Sequence, residues 1–494
     1  MTQPSGPLGG TERAERPAGA AATLGVAPTG IDGLDFVLDG GLPARQPTLL
    51  RGGPGTGKTA IAITFFCRGV ERGEPSVLAT FDESPEALIR HAEGLGFPLS
   101  EHIEAGRARV LDMRPNRADI VAGEVVELTA VLARMGHALQ AIGASRLVID
   151  AVDGMDESFS PHATLRAELN RVFDWIREQD VTSLITCGEH TDFSARFGLE
   201  DYIADCVILL KQELENRRMT RLLRVLKRRG GRHGTNEFPF LLDEAGVFLA
   251  PVTGTRLEAA ASTERHTTGI PGVDAMLGGH GPYRGSAIMI SGESGTGKSC
   301  FAAAFADAAA RGGDQVLYLS FEEASAEILR NQRSVGIDLA EHLAGEGGSG
   351  RLTLMPLLAV ELGWEEHLLR VMRAVQDYKP GVVVIDPASA LSAGNAGLQG
   401  KEMLLRLFYM LKREGVTALA TELLPDYSGG YSEMEVSSIV DVWLKLRRDE
   451  RDGQLHRLIN VVKARGLPTS ERVSEFWLTS NGVRVAGDET GGGA

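Results

Sequence analysis

Two nine-residue stretches, RGGPGTGKT at 51–59 and SGESGTGKS at 291–299, make nearly the same statement twice. A landmark that recurs at long range constrains the fold strongly, because a repeated order of landmarks means a repeated domain. Lys58 and Lys298 stand 240 residues apart, and so do the acidic pairs Asp82-Glu83 and Glu322-Glu323. RLVIDA and VVVIDP place Asp150 and Asp386 236 residues apart, and LKRRG and VKARG place Lys227 and Lys463 at that same spacing. Four landmarks in one order define a duplicated domain. The expected division is a flexible segment 1–22, a first domain 23–255, a second domain 256–485 and a flexible tail 486–494. PVTGTRLEAAASTERHTT reads as the linker.

Each copy alternates strand and helix. QPTLLRG and SAIMISG are short apolar strands that run into the glycine loops, and TAIAITFFCRGVERG and SCFAAAFADAAARGG are the helices that follow. SVLATF and QVLYLSF read as the next strands, with helices opening at Ser84-Pro85 and near Ser325. Serine at an N-cap followed by proline at the first helical position is a start signal. Apolar strands alternating with amphipathic helices predict an α/β fold, a mostly parallel sheet covered on both faces.

The loops carry the chemistry. Gly52, Gly57, Lys58 and Thr59, and again Gly292, Gly297, Lys298 and Ser299, satisfy G-x-x-x-x-G-K-[ST]. Glycines let backbone N–H groups turn inward around phosphate oxygens, and the helix N-terminus adds its positive end. The residues assigned to the nucleotide are Gly53, Gly55, Thr56, Gly57, Lys58 and Thr59 in the first loop. Their counterparts in the second are Ser294, Gly295, Thr296, Gly297, Lys298 and Ser299. The lysines reach the β- and γ-phosphates, and the Thr59 and Ser299 hydroxyls hold Mg²⁺. Asp150 and Asp386 orient the metal through water. Asp82, Glu83, Glu322 and Glu323 end the strand that faces the γ-phosphate, where a carboxylate can orient water or accept a hydroxyl proton. Glu322 is assigned a metal contact as well. Lys227/Arg229 and Lys463/Arg465 are cations at alternate positions on a predicted edge hairpin, remote in sequence from their own loops. In a ring they would complete a neighbour's site.

Composition narrows the field. The chain is 43% hydrophobic and 24% charged with net charge −15, which gives no global field for nucleic acid. Cys67, Cys187, Cys206 and Cys300 are scattered, without metal or disulfide spacing, and fit a reducing cytoplasm. No apolar run reaches membrane-spanning length, and the N-terminus has no signal pattern.

Assembled, these marks resemble the KaiC family, double-domain RecA-like P-loop ATPases, over about residues 24–484. The resemblance rests on FDESPEALIRHAEGLGF, FEEASAEILRNQRSVGIDL, ARFGLEDYIADCVILL, LKRRGGRHGTNEFPF and VSSIVDVWLKL. It implies two-tiered homohexamers with ATP and Mg²⁺ between subunits. The first domain would hydrolyse ATP, and the second would phosphorylate itself across the interface. It adds His233 to the nucleotide contacts and makes Ser437 and Ser438 the phosphoacceptors, with Ser432 nearby. The first copy, LEDYIADCV, is read as lacking a hydroxyl at the matching pair, Ile203 and Ala204. Val335 replaces an aromatic residue near the adenine, Asp82 stands where the family usually has Glu, and Ser438 where it has Thr. No counterpart is read of the longer C-terminal segment by which clock members recruit a stimulating partner, so that regulation is not expected.

Two other readings stay open on sequence grounds. One is a RecA-like motor on DNA, which basic channel loops and stacking aromatics would favour. Here aromatics are 6% of residues, and the segments after Asp150 and Asp386 lack basic runs. The other is a nucleotide-gated scaffold that displays a surface to an unknown signalling protein with little turnover. The leading expectation is a cytoplasmic ring ATPase with serine autokinase activity in its C-terminal half.

Overall fold

The computed structural model describes residues 25–114, 128–152, 162–188, 204–215, 218–244, 246–250, 262–345, 347–357, 364–392, 397–424 and 438–486. Of the stretches expected to be flexible, 1–22 and 487–494 lie outside the described residues, as do 251–261 of the linker.

The first domain runs β1 (Pro47–Gly52), α1 (Lys58–Glu71), β2 (Ser76–Thr80), α2 (Pro85–Gly94), β3 (Ala108–Asp112), α3 (Leu128–Ile142) and β4 (Arg146–Asp150). It continues through α4 (His162–Glu178), β5 (Thr182–Cys187), β6 (Cys206–Glu215), β7 (Arg218–Arg228), β8 (Glu237–Asp243) and β9 (Gly246–Leu249). The second repeats this as β10 (Ala287–Gly292), α5 (Lys298–Arg311), β11 (Val316–Ser320), α6 (Ser325–Arg333), β12 (Leu352–Pro356), α7 (Trp364–Tyr378) and β13 (Val382–Asp386). It closes with α8 (Gly397–Arg413), β14 (Thr417–Leu423), β15 (Val442–Arg451), β16 (Gln454–Ala464), β17 (Ser474–Thr479) and β18 (Gly482–Val485).

Beside a two-stranded ribbon of Val26–Ala27 with Leu42–Pro43, two sheets have nine strands each. Their orders are β9-β8-β7-β6-β1-β5-β4-β2-β3 and β18-β17-β16-β15-β10-β14-β13-β11-β12, the same order twice. From β6 to β3, and from β15 to β12, the pairing is parallel; the remaining three strands of each sheet form an antiparallel meander. Parallel strands covered on both faces read as continuous apolar runs, and β2, β4, β5, β11 and β13 are buried along their whole length. Helix α1 buries Ile61, Phe65, Phe66 and Val70 against the first sheet, each worth roughly 1.5–3 kcal/mol relative to exposure. Among the described residues no helix is long and apolar enough to cross a membrane.

Three local expectations meet different outcomes. Ser84 caps α2, its Oγ accepting from the Ala87 N–H at 3.2 Å with Pro85 at the first position. Helix α6 is capped otherwise: Ala324 holds the N-cap position, and the Glu327 carboxylate accepts from its N–H at 3.0 Å. The hairpin strands β7 and β16 are not edges, because β8 and β17 pair with them over Leu222–Arg224 and Arg457–Ile459. Those pairings are short, so the ends carrying Lys227 and Lys463 project beyond them.

The domains meet through α7. Leu241 and Ala250 of the first domain share one apolar cluster with Leu368, Leu369 and Met372 of the second. Arg373 of α7 forms a two-pronged ion pair with Asp243 at 2.7 and 2.6 Å, and its guanidinium lies 4.8 Å from the centre of the Phe248 ring.

Candidate functional site

Each central strand delivers its loop at its C-terminal end and turns directly into a helix. The turn requires left-handed backbone at Gly57 and Gly297, with φ of 102° and 106°, which residues with a Cβ adopt only at a cost. Gly52 is excluded from substitution differently: a Cβ there would come within 2.6 Å of Thr56 Oγ1. Thr56 and Thr296 brace the loops, each donating its hydroxyl at 2.8 Å to the carbonyl of Gly53 or Glu293. Lys58 Nζ donates to the Gly52 and Gly53 carbonyls at 2.7 and 3.0 Å, and Lys298 Nζ to Gly292 and Glu293 at 2.9 and 2.8 Å. Burial holds the Lys298 ammonium below its ordinary range.

The strand-end aspartates stand beside these loops. Thr59 Oγ1 donates to Asp150 Oδ2 at 3.2 Å, and Ser299 Oγ to Asp386 Oδ1 at 3.2 Å. Thr186 and Thr421, on β5 and β14, each donate to the same carboxylates at 2.5 Å. Burial pushes the Asp150 carboxyl up, opposed by the Thr186 and Thr59 hydroxyls. In the second copy a cavity of about 290 Å³ is lined by Gly295, Lys298, Ser299, Glu322, Glu323 and Asp386. Burial, then the charges of Asp386 and Glu323, raise the Glu322 carboxyl. Glu323 accepts from Asn331 Nδ2 at 3.1 Å, whereas its counterpart Glu83 faces His91 Nδ1 at 3.2 Å. The structure thus brings together the loop, the strand-end aspartate and the acidic pair that the sequence placed far apart.

The basic pairs are not brought to their own loops. Lys227 pairs in register with Val207 and Val207 with Leu49, whereas Gly52 pairs with Leu210. In the second copy Lys463 pairs with Trp443 and Trp443 with Met289. Both pairs therefore sit at the sheet end opposite the glycine loops. Lys227 Nζ donates to the Ala204 carbonyl at 2.7 Å, and Arg229 contacts Asp205 at 3.4 Å. Arg465 Nη2 donates to the Ser438 carbonyl at 2.6 Å. His233 lies beyond them in the loop before β8, Nδ1 3.0 Å from the Gly234 carbonyl.

Ser437 and Ser432 lie outside the described residues; Ser438 is described and exposed. The register corrects its supposed counterpart. Asp205 N–H donates to Pro47 O at 3.1 Å and Asp441 N–H to Ala287 O at 2.8 Å, the same contact in both copies. Counting back from these aspartates, Ser437 and Ser438 correspond to Asp201 and Tyr202, not to Ile203 and Ala204. The first copy therefore carries an acid and a phenol in that pair of positions.

Sequence reasoning overlooked four side chains here: Thr186, Thr421, Tyr318 and Arg448. Tyr318 Oη donates to Asp386 Oδ2 at 2.6 Å. Arg448 Nη1 would lie 3.7 Å from a Cβ at Gly295, where the first copy has Gln212, whose Nε2 donates to the Gly55 carbonyl at 2.6 Å. A phenol within an aliphatic strand, opposite Leu78 in the repeat, was the one available signal.

The residues present suit a nucleotide with Mg²⁺. Hydroxyl and carboxylate oxygens are the hard donors that Mg²⁺ takes, usually shared with phosphate and water. A Cβ at Gly52 or Gly292 would meet the Thr56 or Thr296 hydroxyl at 2.6 or 2.9 Å, whereas at Gly53 the space beside the loop is open. Among the described residues no cluster of three or more His, Cys, Asp or Glu side chains could hold a metal.

Comparison with known proteins agrees with this geometry. The family described as "ATPase: KaiC" matches twice, over residues 27–253 and 266–490. The chain is 38% identical over 462 residues to the circadian clock protein KaiC2 of Synechocystis sp., covering 92% of this chain and 80% of that one. It is 32% identical over 464 residues to KaiC3 of the same organism, with 92% and 91% covered. To the circadian clock oscillator protein KaiC of Synechococcus elongatus it is 31% identical over 467 residues, with 92% and 88% covered. With two nine-stranded, mostly parallel sheets in tandem and the family's ATPase domain matched in each half, this chain belongs to the KaiC family of ATPases.

Proposed function

We propose that this chain is a two-tiered homohexameric switch whose two halves bind ATP with Mg²⁺, and whose second half phosphorylates serine on a neighbouring copy. The first half hydrolyses ATP and holds the ring together. Lys58 and Lys298 would bind the β- and γ-phosphates; Thr59 and Ser299 would hold the metal, and Asp150 and Asp386 would orient it. Mg²⁺, when bound, neutralises charge that develops between the β- and γ-phosphates. Asp82 or Glu83 orients water in the first half. In the second, Glu322 or Glu323 takes the proton from the serine hydroxyl as its oxygen attacks the γ-phosphorus. The bond from that phosphorus to the β-bridging oxygen breaks, and ADP leaves. Lys463 and Arg465 of the neighbour stabilise the moving phosphoryl group.

The observation that carries this reading is the distance between acceptor and cradle within one chain. Asp441 meets Ala287 at the start of β10, while the loop begins at Gly292. Five residues of strand separate them, roughly 16 Å at ~3.3 Å per residue. Reacting atoms must approach to about 3–3.5 Å, so Ser438 needs another copy's cradle. Lys463 and Arg465 share its end of the sheet and would arrive with it.

The test is peptide mass spectrometry after incubation with Mg-ATP, beside Glu323→Gln and Ser437→Ala/Ser438→Ala variants. Phosphate on Ser437 or Ser438, much reduced in Glu323→Gln, is expected. A parent protein that hydrolyses ATP and stays unmodified would be a plain ring ATPase or a nucleotide-gated scaffold displaying itself to a signalling protein.

A further inference from the structure

Asp150 and Asp386 end the same strand of the two domains, yet their surroundings differ by one donor. Asp150 takes the Thr186 hydroxyl on Oδ1 and the Thr59 hydroxyl on Oδ2. Asp386 takes the equivalent Ser299 and Thr421 hydroxyls, both on Oδ1, and its Oδ2 takes the Tyr318 phenol at 2.6 Å. Tyr318 is 1% exposed and stands opposite Val384 on the neighbouring strand. Val384 and Asp386 are two residues apart and so share a face, which puts the phenol under the carboxylate. In the first copy Leu78 stands opposite Val148 in the same register and has no polar atom to offer.

The terminal torsion of an aspartate is broad and weakly restrained. Donors on Oδ1 alone leave the carboxylate plane free to turn about that oxygen; a third donor on Oδ2 fixes it. We propose that Tyr318 is a positioning residue of the second site, holding Asp386 in the orientation that binds Mg²⁺ with the nucleotide, through the Oδ2 contact that Thr59 makes in the first site. This rests on the reading that the second site takes a metal–nucleotide complex. Outer partners of metal-orienting groups typically govern about ten- to a hundredfold of metal affinity.

The experiment uses the full chain with ADP and Mn²⁺, free Mn²⁺ being read by electron paramagnetic resonance. Parent, Tyr318→Phe and Tyr318→Leu are compared, the last copying the first domain. The parent is expected to show two classes of nucleotide-dependent Mn²⁺ site. Either substitution should weaken one class about tenfold or more and leave the other class and ADP affinity in EDTA at parent values. Unchanged Mn²⁺ affinity in both classes would overturn the role of Tyr318. So would a loss of metal-free ADP binding in step with the metal, since that marks a structural defect. A parent with only one class would overturn the reading of the second site itself, and Tyr318's role with it.

Discussion

Arg146, the first residue of β4, is 1% exposed. Its guanidinium donates to the Phe65 carbonyl at 2.8 Å and the Pro28 carbonyl at 3.0 Å, pairs with Glu74, and lies 4.4 Å from the centre of the Phe65 ring. Room for it exists because residue 69 is glycine: a Cβ there would stand 2.4 Å from Arg146 Cδ. The second copy fills the same places with Ala309 and Val382. Arg146→Val removes two charged hydrogen bonds and a cation–π contact, partly offset because burial disfavours the charge; the expected cost is about 3 kcal/mol. Little is assigned to Glu74, which is 38% exposed. Gly69→Ala forces the arginine stem aside, about 1–3 kcal/mol. In the double variant the new methyl occupies space the guanidinium has left, so its cost falls short of the sum by about 2 kcal/mol. Because a two-domain chain need not unfold in one step, the assay is hydrogen–deuterium exchange of α1 peptides, with α5 peptides as internal reference. Additive single costs, or α1 protection unmoved by Arg146→Val, would refute the reasoning.

Three further outcomes are expected. Mixing Lys298→Ala chains with Ser437→Ala/Ser438→Ala chains in equal amounts should place phosphate on about half of the Lys298→Ala acceptors, because half have a competent neighbour in a randomly assembled ring; none at all would exclude transfer between copies. Gly57→Ala or Gly297→Ala puts a Cβ on left-handed backbone, 3.3 Å from Leu242 or 3.1 Å from Leu478, at about 1–2 kcal/mol. ATP titration should show roughly tenfold weaker binding in the altered half only. Burial pushes the Cys67 and Cys206 thiols up to about 12 from an ordinary value of 9.0. The unfolded chain therefore releases these protons first, so stability is level below pH 9.0 and falls as pH climbs toward 12. Unfolding temperatures across that range should fall less steeply in a Cys67→Ala/Cys206→Ala variant.

The repeat, its strands and its loops were legible because they are local: a glycine-lysine turn and an unbroken apolar run state their own geometry. What depended on pairing was not. That β7 is interior follows only from β8, a later strand, lying down on Leu222–Arg224. The counterpart of Ser438, by contrast, was legible, since the 236-residue spacing of the flanking landmarks already points to Tyr202; the bond from Asp205 to Pro47, matched by Asp441 to Ala287, confirms it. Tyr318 was visible as a letter, but the carboxylate it meets lies 68 residues onward. Nothing local to Arg146 marks it as enclosed, because the slot that holds it depends on Gly69, from another element.

The contact of α7 with the β8–β9 face joins unlike surfaces, and a head-to-tail junction of that kind has no built-in stop. Were the copies identical, α3 of the first domain could seat on the β17–β18 face of another molecule, tier upon tier. Residue changes at the two outer surfaces remove the polar and cation–π contacts of the inner junction. Asp243 becomes Thr479, Phe248 becomes Arg484, and the Arg373 that engages both becomes His137. Neither the ion pair nor the cation–π contact can form a second time. Divergence at these three positions thus reserves both contacts for the inner seam.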